Sequence, residues 1–274
     1  MKLILGGAQF GLSYGATNAT GAKAGAAVLE IAAAGGIDLI DAAAAYGDAE
    51  AALGALGAAS RFGLITKTLP FRAAGSAGAV IARLEQSFAL LGAQHLAAVL
   101  VHHAGDLAGP EGVALWAHLT GLKAQGRVGA IGFSAYLDDD TVGLARRFAP
   151  DIVQLPASLL DQRPAATGVL AALADLGVAV HARSIFLQGR LLADAPGPGA
   201  DAIGDVRRRL AAAGVSPMSA ALGWIAAQPA IDAAVVGVTT ADELDAILQA
   251  APVRGLDWPA FAIGDEAALD PRMW

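Results

Sequence analysis

Eight short apolar segments, each followed by a longer stretch of helical character, recur along this chain every ~30 residues. They are Leu3–Leu5, Ile37–Asp41, Leu64–Lys67, Ala97–His102, Val128–Ser134, Ile152–Leu155, Val178–Arg183 and Ala233–Val236. Helical stretches lie near residues 24–34, 49–56, 76–91, 112–125, 138–148, 165–176, 201–227 (interrupted at Gly214) and 241–249. Eight strand-then-helix units predict a closed parallel sheet rather than an open one, an α/β fold of the (β/α)8 TIM-barrel type. The 274 residues match the ~250 such a barrel needs. No composition shift marks a second domain, so residues 1–274 are read as one barrel with 252–274 as a C-terminal tail. That tail carries Trp258, Phe261 and Trp274, which predict that it packs, over the barrel mouth if it follows the last strand.

Punctuation agrees with this reading. Gly35-Gly36, Gly126 and Gly177 precede strands two, five and seven, and the Pro/Gly-rich stretch 195–200 is the candidate mobile loop. Leu210 to Ile231 carries no charged residue and is long enough to span a bilayer, yet it holds Gly214, Ser216, Pro217, Gln228 and Pro229. It reads as a buried helix with Ser216 as N-cap and Pro217 at the first helical position.

Composition narrows the partners. A net charge of −7 gives no general attraction to phosphate backbones or anionic lipid, so nucleic acid and membrane are not expected. There is no cysteine, which removes disulfides and thiolate metal sites. The first apolar run ends at Gly6-Gly7, too short for a signal-peptide core. The expected setting is the cytoplasm, as a monomer or weak oligomer acting on a small molecule.

Four polar residues fall where predicted strands run out: Asp41, Tyr46, Lys67 and His102. Asp41 shares parity with Ile37 and Leu39, Lys67 with Ile65, and His102 with Ala98 and Leu100, so all three are predicted to point inward at one rim. Barrel active sites sit at that C-terminal rim. Tyr46, five residues past Asp41, can turn back towards Lys67. A phenol with pKa near ~10 is a poor donor at neutral pH, and an adjacent ammonium favours its ionised form. Tyr46 is therefore the expected general acid, Lys67 the ammonium that tunes it, Asp41 the carboxylate that keeps Lys67 charged, and His102 the group that polarises a substrate oxygen. This is the equipment for protonating a carbonyl oxygen during hydride reduction. Taken singly, each residue also has a structural reading: a buried ion pair, a rim histidine, a packed aromatic. His103 points the other way if the strand is regular, so a His-His metal pair is not expected. Phe10, Tyr14, His103 and Tyr136 lie near the predicted mouth as candidate substrate contacts.

The motifs around these residues, IDLIDAAAAYGDAE (37–50), ITKT (65–68) and LVHH (100–103), resemble the aldo-keto reductase family. The resemblance extends through GLKAQGRVGAIGFSAY (121–136), VQLPAS (153–158) and WIAAQPAIDAAVVG (224–237), almost the whole chain. It implies that Asp41, Tyr46, Lys67 and His102 are a catalytic tetrad, and that Ser134 and Gln154 hydrogen-bond a nicotinamide carboxamide. It also implies that the cofactor lies across the mouth, with Arg183, Ser184, Leu187, Gly237 and Thr239 as contacts from the loops after strands seven and eight.

Departures are visible too. Ala135 stands where the family usually has asparagine, and Arg183 where an aromatic commonly stacks on the nicotinamide. Val238, Thr239 and Thr240 stand where a lysine or arginine often grips the adenosine 2′-phosphate, followed by Asp242 and Glu243. Asp242 is the residue expected to cap the next helix. The family's N-terminal hairpin is not seen before residues 2–11. NADP(H) is the cofactor the resemblance implies, with NAD(H) as the alternative, and the loop 183–189 and DPRMW (270–274) look like bacterial members, some acting on sugars. The leading expectation is reversible reduction of an aldehyde or ketone to an alcohol. The alternatives are a nicotinamide-binding regulatory module on the same fold and a Schiff-base aldolase using Lys67.

Overall fold

The computed structural model describes residues 2–15, 18 and 23–274. Its eight strands are β1 (Lys2–Gly6), β2 (Leu39–Asp41), β3 (Gly63–Lys67), β4 (Leu96–Val101), β5 (Val128–Ser134), β6 (Ile152–Pro156), β7 (Ala179–Arg183) and β8 (Ala233–Gly237). All pair in parallel in sequence order, and β1 closes the ring by pairing with β8 from Lys2↔Ala233 to Gly6↔Gly237. The predicted barrel is thus the observed one.

Because side chains alternate along a strand, the sheet is apolar on both faces. Ile4, Ile65, Ala98, Leu100, Ile152 and Ala233 fill the interior. Leu5, Ile40, Leu64, Val99, Phe133, Val153, Val180 and Val236 point outward into the layer shared with the helices. Fully burying one such Leu or Ile contributes about 1.5–3 kcal/mol, which is why the strands read as unbroken apolar runs. Asp41, Lys67, Ser134 and Arg183 occupy the last positions of their strands, and Gln154, mid-strand on β6, is the register partner of Ser134.

Helix boundaries follow local chemistry. Ser76 accepts from Ala79 N to start Ala77–Leu91, and Gly92, at φ +64, stops it. Residues 201–227 divide as expected: Ala200–Ala212 ends before Gly214, and Ser216 caps Pro217–Ala226 by accepting from Ser219 N. The stretch 165–176 instead breaks at Gly168, φ +78, into Arg163–Ala166 and Val169–Asp175. Among the described residues no helix is long and apolar enough to cross a membrane. The tail packs at the mouth: Phe261 is buried, Ile263 N donates to Leu160 O, and Arg272 lines the main cavity.

Candidate active site

A cavity of about 990 Å³ opens at the C-terminal ends of the strands, lined by Asp41, Tyr46, Lys67 and His102 together. Asp41 and Lys67 are almost fully buried, and Lys67 Nζ lies 2.6 Å from Asp41 Oδ2. The same ammonium donates to Ala42 O at 3.1 Å and to Tyr46 Oη at 3.4 Å. An ammonium has three protons, and all three are engaged. Burial alone would push the Lys67 pKa down, but Asp41 and then Tyr46 outweigh it and hold it above its ordinary value. A lysine so charged and enclosed is a poor amine nucleophile, and this geometry speaks against the Schiff-base reading.

The turn that delivers Tyr46 is built from both sides. Ala42 N donates to Ile65 O and Ala44 N to Lys67 O, continuing the β2–β3 pairing past the strand end. Gly11 of the β1 loop packs so closely that a Cβ there would sit 2.1 Å from Tyr46 O. A network missed in the sequence braces the turn from behind. Buried Glu50 accepts from Thr66 Oγ1 at 2.6 Å and from Arg83 Nη2 at 2.7 Å, and Arg83 Nη2 also reaches Ala44 O at 3.4 Å. Only the helical placement of Glu50 was readable beforehand.

His102 presents its imidazole edge-on to the Tyr46 ring, centroids 5.8 Å apart. Burial first, then Lys67, pushes its pKa down to about 3, so it is neutral at ordinary pH and can donate one N–H to an oxygen. His103 departs from expectation. β4 ends at Val101, alternation stops there, and both imidazoles line the cavity with centroids 5.4 Å apart. Tyr14 lines it as well; burial, then Tyr46, pushes its phenol up to about 12. Phe10 does not: it is 2% exposed and packs in the helix–sheet core, because the chain turns helical at Ala8–Gly11 and carries that ring outward.

Ser134 and Gln154, register partners on β5 and β6, both line the cavity. Gln154 Nε2 donates to Asp41 Oδ1 at 3.1 Å, and its Oε1 is buried with no partner. Arg183, Ser184, Gly237 and Thr239 line the cavity too, whereas Leu187, expected there, does not and is buried in the core. In the loop that follows β7, Ser184, Leu187 and Gln188 all have positive φ, at +59, +49 and +53. Such strain costs about 1–3 kcal/mol per residue and collects at functional sites. Gln9, unassigned from the sequence, lies over Gly237, where a Cβ would be 2.6 Å from its amide, and its own Oε1 is partnerless. At the β8 exit Thr240 and Glu243 form a capping box, so Glu243 rather than Asp242 is the capping carboxylate. No group of three or more metal-ligating side chains comes together among the described residues.

The chain as a whole resembles known proteins. The model of the aldo/keto reductase family matches residues 2–266. The holo form of the aldo-keto reductase AKR11C1 from Bacillus halodurans superposes with a TM-score of 0.75 at 19% identity, covering 99% of this chain and 94% of that one. A candidate aldo-keto reductase from Pseudomonas aeruginosa superposes with a TM-score of 0.67 at 24% identity, covering 91% and 89%. At these identities the superpositions speak to the fold. Comparison with curated proteins gives no match.

Proposed function

The chain belongs to the aldo/keto reductase family, whose activity is NAD(P)H-dependent carbonyl reduction, and on that premise we propose that it reversibly reduces an aldehyde or ketone, sugars included, with Tyr46 as general acid. The observation that carries this is the saturated ammonium of Lys67. With its three protons on Asp41, Ala42 O and Tyr46 Oη, Lys67 is a donor to Tyr46, which leaves the phenol's own proton for an acceptor in the cavity. Neutral His102 donates to the same substrate oxygen and holds it at the rim. In the reverse direction Tyr46 acts as the phenolate base, stabilised by the same ammonium.

The residues present fit a nicotinamide cofactor. The partnerless Oε1 of Gln154 is an acceptor for a carboxamide N–H, and Ser134 beside it supplies a hydroxyl. Ser184, Gly237 and Thr239, which line the cavity from the strained loop and the β8 exit, would hold the remainder. When bound, the cofactor supplies the hydride. Tyr14 and His103 face the substrate.

The family resemblance implies NADP(H); one observation favours the second reading, NAD(H). Glu243 accepts from Thr239 N at 2.7 Å, Thr239 Oγ1 at 3.0 Å and Thr240 N at 3.3 Å, and lines the cavity there. A carboxylate at that turn repels a 2′-phosphate.

Tyr46→Phe tests the whole reading: turnover of a carbonyl panel should vanish while nicotinamide binding, followed by fluorescence, persists. Turnover retained in that variant removes Tyr46 from the chemistry. A wild type that binds cofactor tightly but reduces no carbonyl would be the regulatory module instead.

A further inference from the structure

Six charged side chains line the cavity among the described residues: Asp41, Lys67, Arg72, Arg183, Glu243 and Arg272. Four are engaged locally. Asp41 and Lys67 pair with each other, Glu243 is held at the β8 turn, and Arg272 bridges Asp138 at 2.9 Å and Asp270 at 2.5 Å. Arg72 and Arg183 make no ion pair among the described residues, and both line the cavity together with His102 and His103. Burial first, then Arg72, push the His103 pKa down; Asp106 and Asp139 pull it the other way, and Arg183 adds to the lowering.

Arg183 is also held in place. Its Nη2 donates to Ala135 O at 3.2 Å and its guanidinium lies 4.2 Å from the centre of the Tyr136 ring. Tyr136 is itself packed by Arg272, 3.8 Å from the ring centre. The tail residue Arg272 thus helps fix the aromatic that orients Arg183. The other N–H groups of Arg183 have no partner among the described residues. A guanidinium that faces a cavity with no ion pair of its own is a ready partner for an anion.

We infer that the carbonyl substrate carries a carboxylate or phosphate a few bonds from its carbonyl, gripped by Arg183 and Arg72 beside His103. This rests on the carbonyl-reductase reading above. The planar fork of arginine matches both anions in a bidentate manner, and Arg183 lines the same cavity as His102, the group that would hold the substrate oxygen. Oxo acids and phosphorylated short aldehydes have this shape.

The test uses the holoenzyme with saturating reduced cofactor and matched probes. Calorimetry compares oxamate with neutral oxamide; turnover compares glyoxylate with glyoxylamide and glycolaldehyde phosphate with glycolaldehyde. The anionic member of each effective pair should win by about tenfold or more, the worth of one charge-assisted contact. Arg72→Glu should collapse that ratio towards one. The pair showing the larger ratio tells carboxylate from phosphate. Equal binding of oxamate and oxamide, or an Arg72→Glu variant that weakens anionic and neutral probes in the same proportion, overturns the inference. Oxamate binding needs no turnover. A protein that binds it through Arg72 yet reduces nothing would keep the anion site and sink the reductase reading.

Discussion

Gln154 Nε2 donates to Oδ1 of Asp41 across 3.1 Å, while Lys67 holds the other carboxylate oxygen at 2.6 Å. The carboxylate is thereby shared between the proton-transfer group and the amide proposed to hold the cofactor. Because Nε2 is engaged, the Gln154 amide is oriented and its Oε1 is left as an acceptor. Gln154→Leu should remove that acceptor and weaken nicotinamide binding by about tenfold, the effect of one lost hydrogen bond of roughly 1–1.5 kcal/mol. A fluorescence titration giving an unchanged Kd would separate Gln154 from the cofactor.

The Asp41–Lys67 pair is buried, at 3% and 1% exposure, so its members depend on each other for stability as well as chemistry. Removing one partner of such a pair costs about 3–5 kcal/mol, because the other charge is left in a low dielectric. Asp41→Leu should therefore lower the denaturation midpoint sharply. The double variant Asp41→Leu/Lys67→Met should recover most of that loss and remain inactive. If the single variant is as stable as wild type, water reaches Lys67.

His102 ties stability to pH with a definite sign. In the folded chain it stays neutral down to about pH 3, against an ordinary value of 6.5. Between those limits the unfolded chain binds a proton that the folded chain refuses, so stability falls with acid. Relative to His102→Gln, wild type should lose up to about 1.4 kcal/mol per pH unit below 6.5 and run parallel above about pH 7.5. Urea denaturation of both proteins at several pH values measures this. Parallel curves throughout would mean His102 titrates normally.

The parts of the site that the sequence exposed are those governed by strand geometry. Asp41 and Lys67 could be placed because parity and strand ends are local properties, and Ser216-Pro217 because a cap is written in adjacent residues. What was illegible depends on long-range meetings. The Gln154–Asp41 bond joins positions 113 residues apart, and Arg72 and Arg272 reach the mouth from a short loop helix and from the tail. Phe10 was misplaced, and the direction of His103 misread though its place at the mouth was not, for a different reason: a helical turn directly after β1 went unread in one case, and parity was extended beyond Val101 in the other.

Glu243 provides the sharpest separation of the two cofactors. Its carboxylate completes the capping box with Thr240 and also bears on Thr239 at the cavity wall. Glutamine can fill the same role in a capping box, so Glu243→Gln removes the charge while keeping the turn. If the carboxylate opposes a 2′-phosphate, NADPH binding should tighten by roughly three- to tenfold, about 0.7–1.4 kcal/mol of relieved repulsion. NADH binding should change by less than about twofold, since NADH has no phosphate there to be repelled. Helicity by circular dichroism checks that the cap survived. A variant in which both affinities move together would show that Glu243 shapes the turn and leaves the choice of cofactor to other residues.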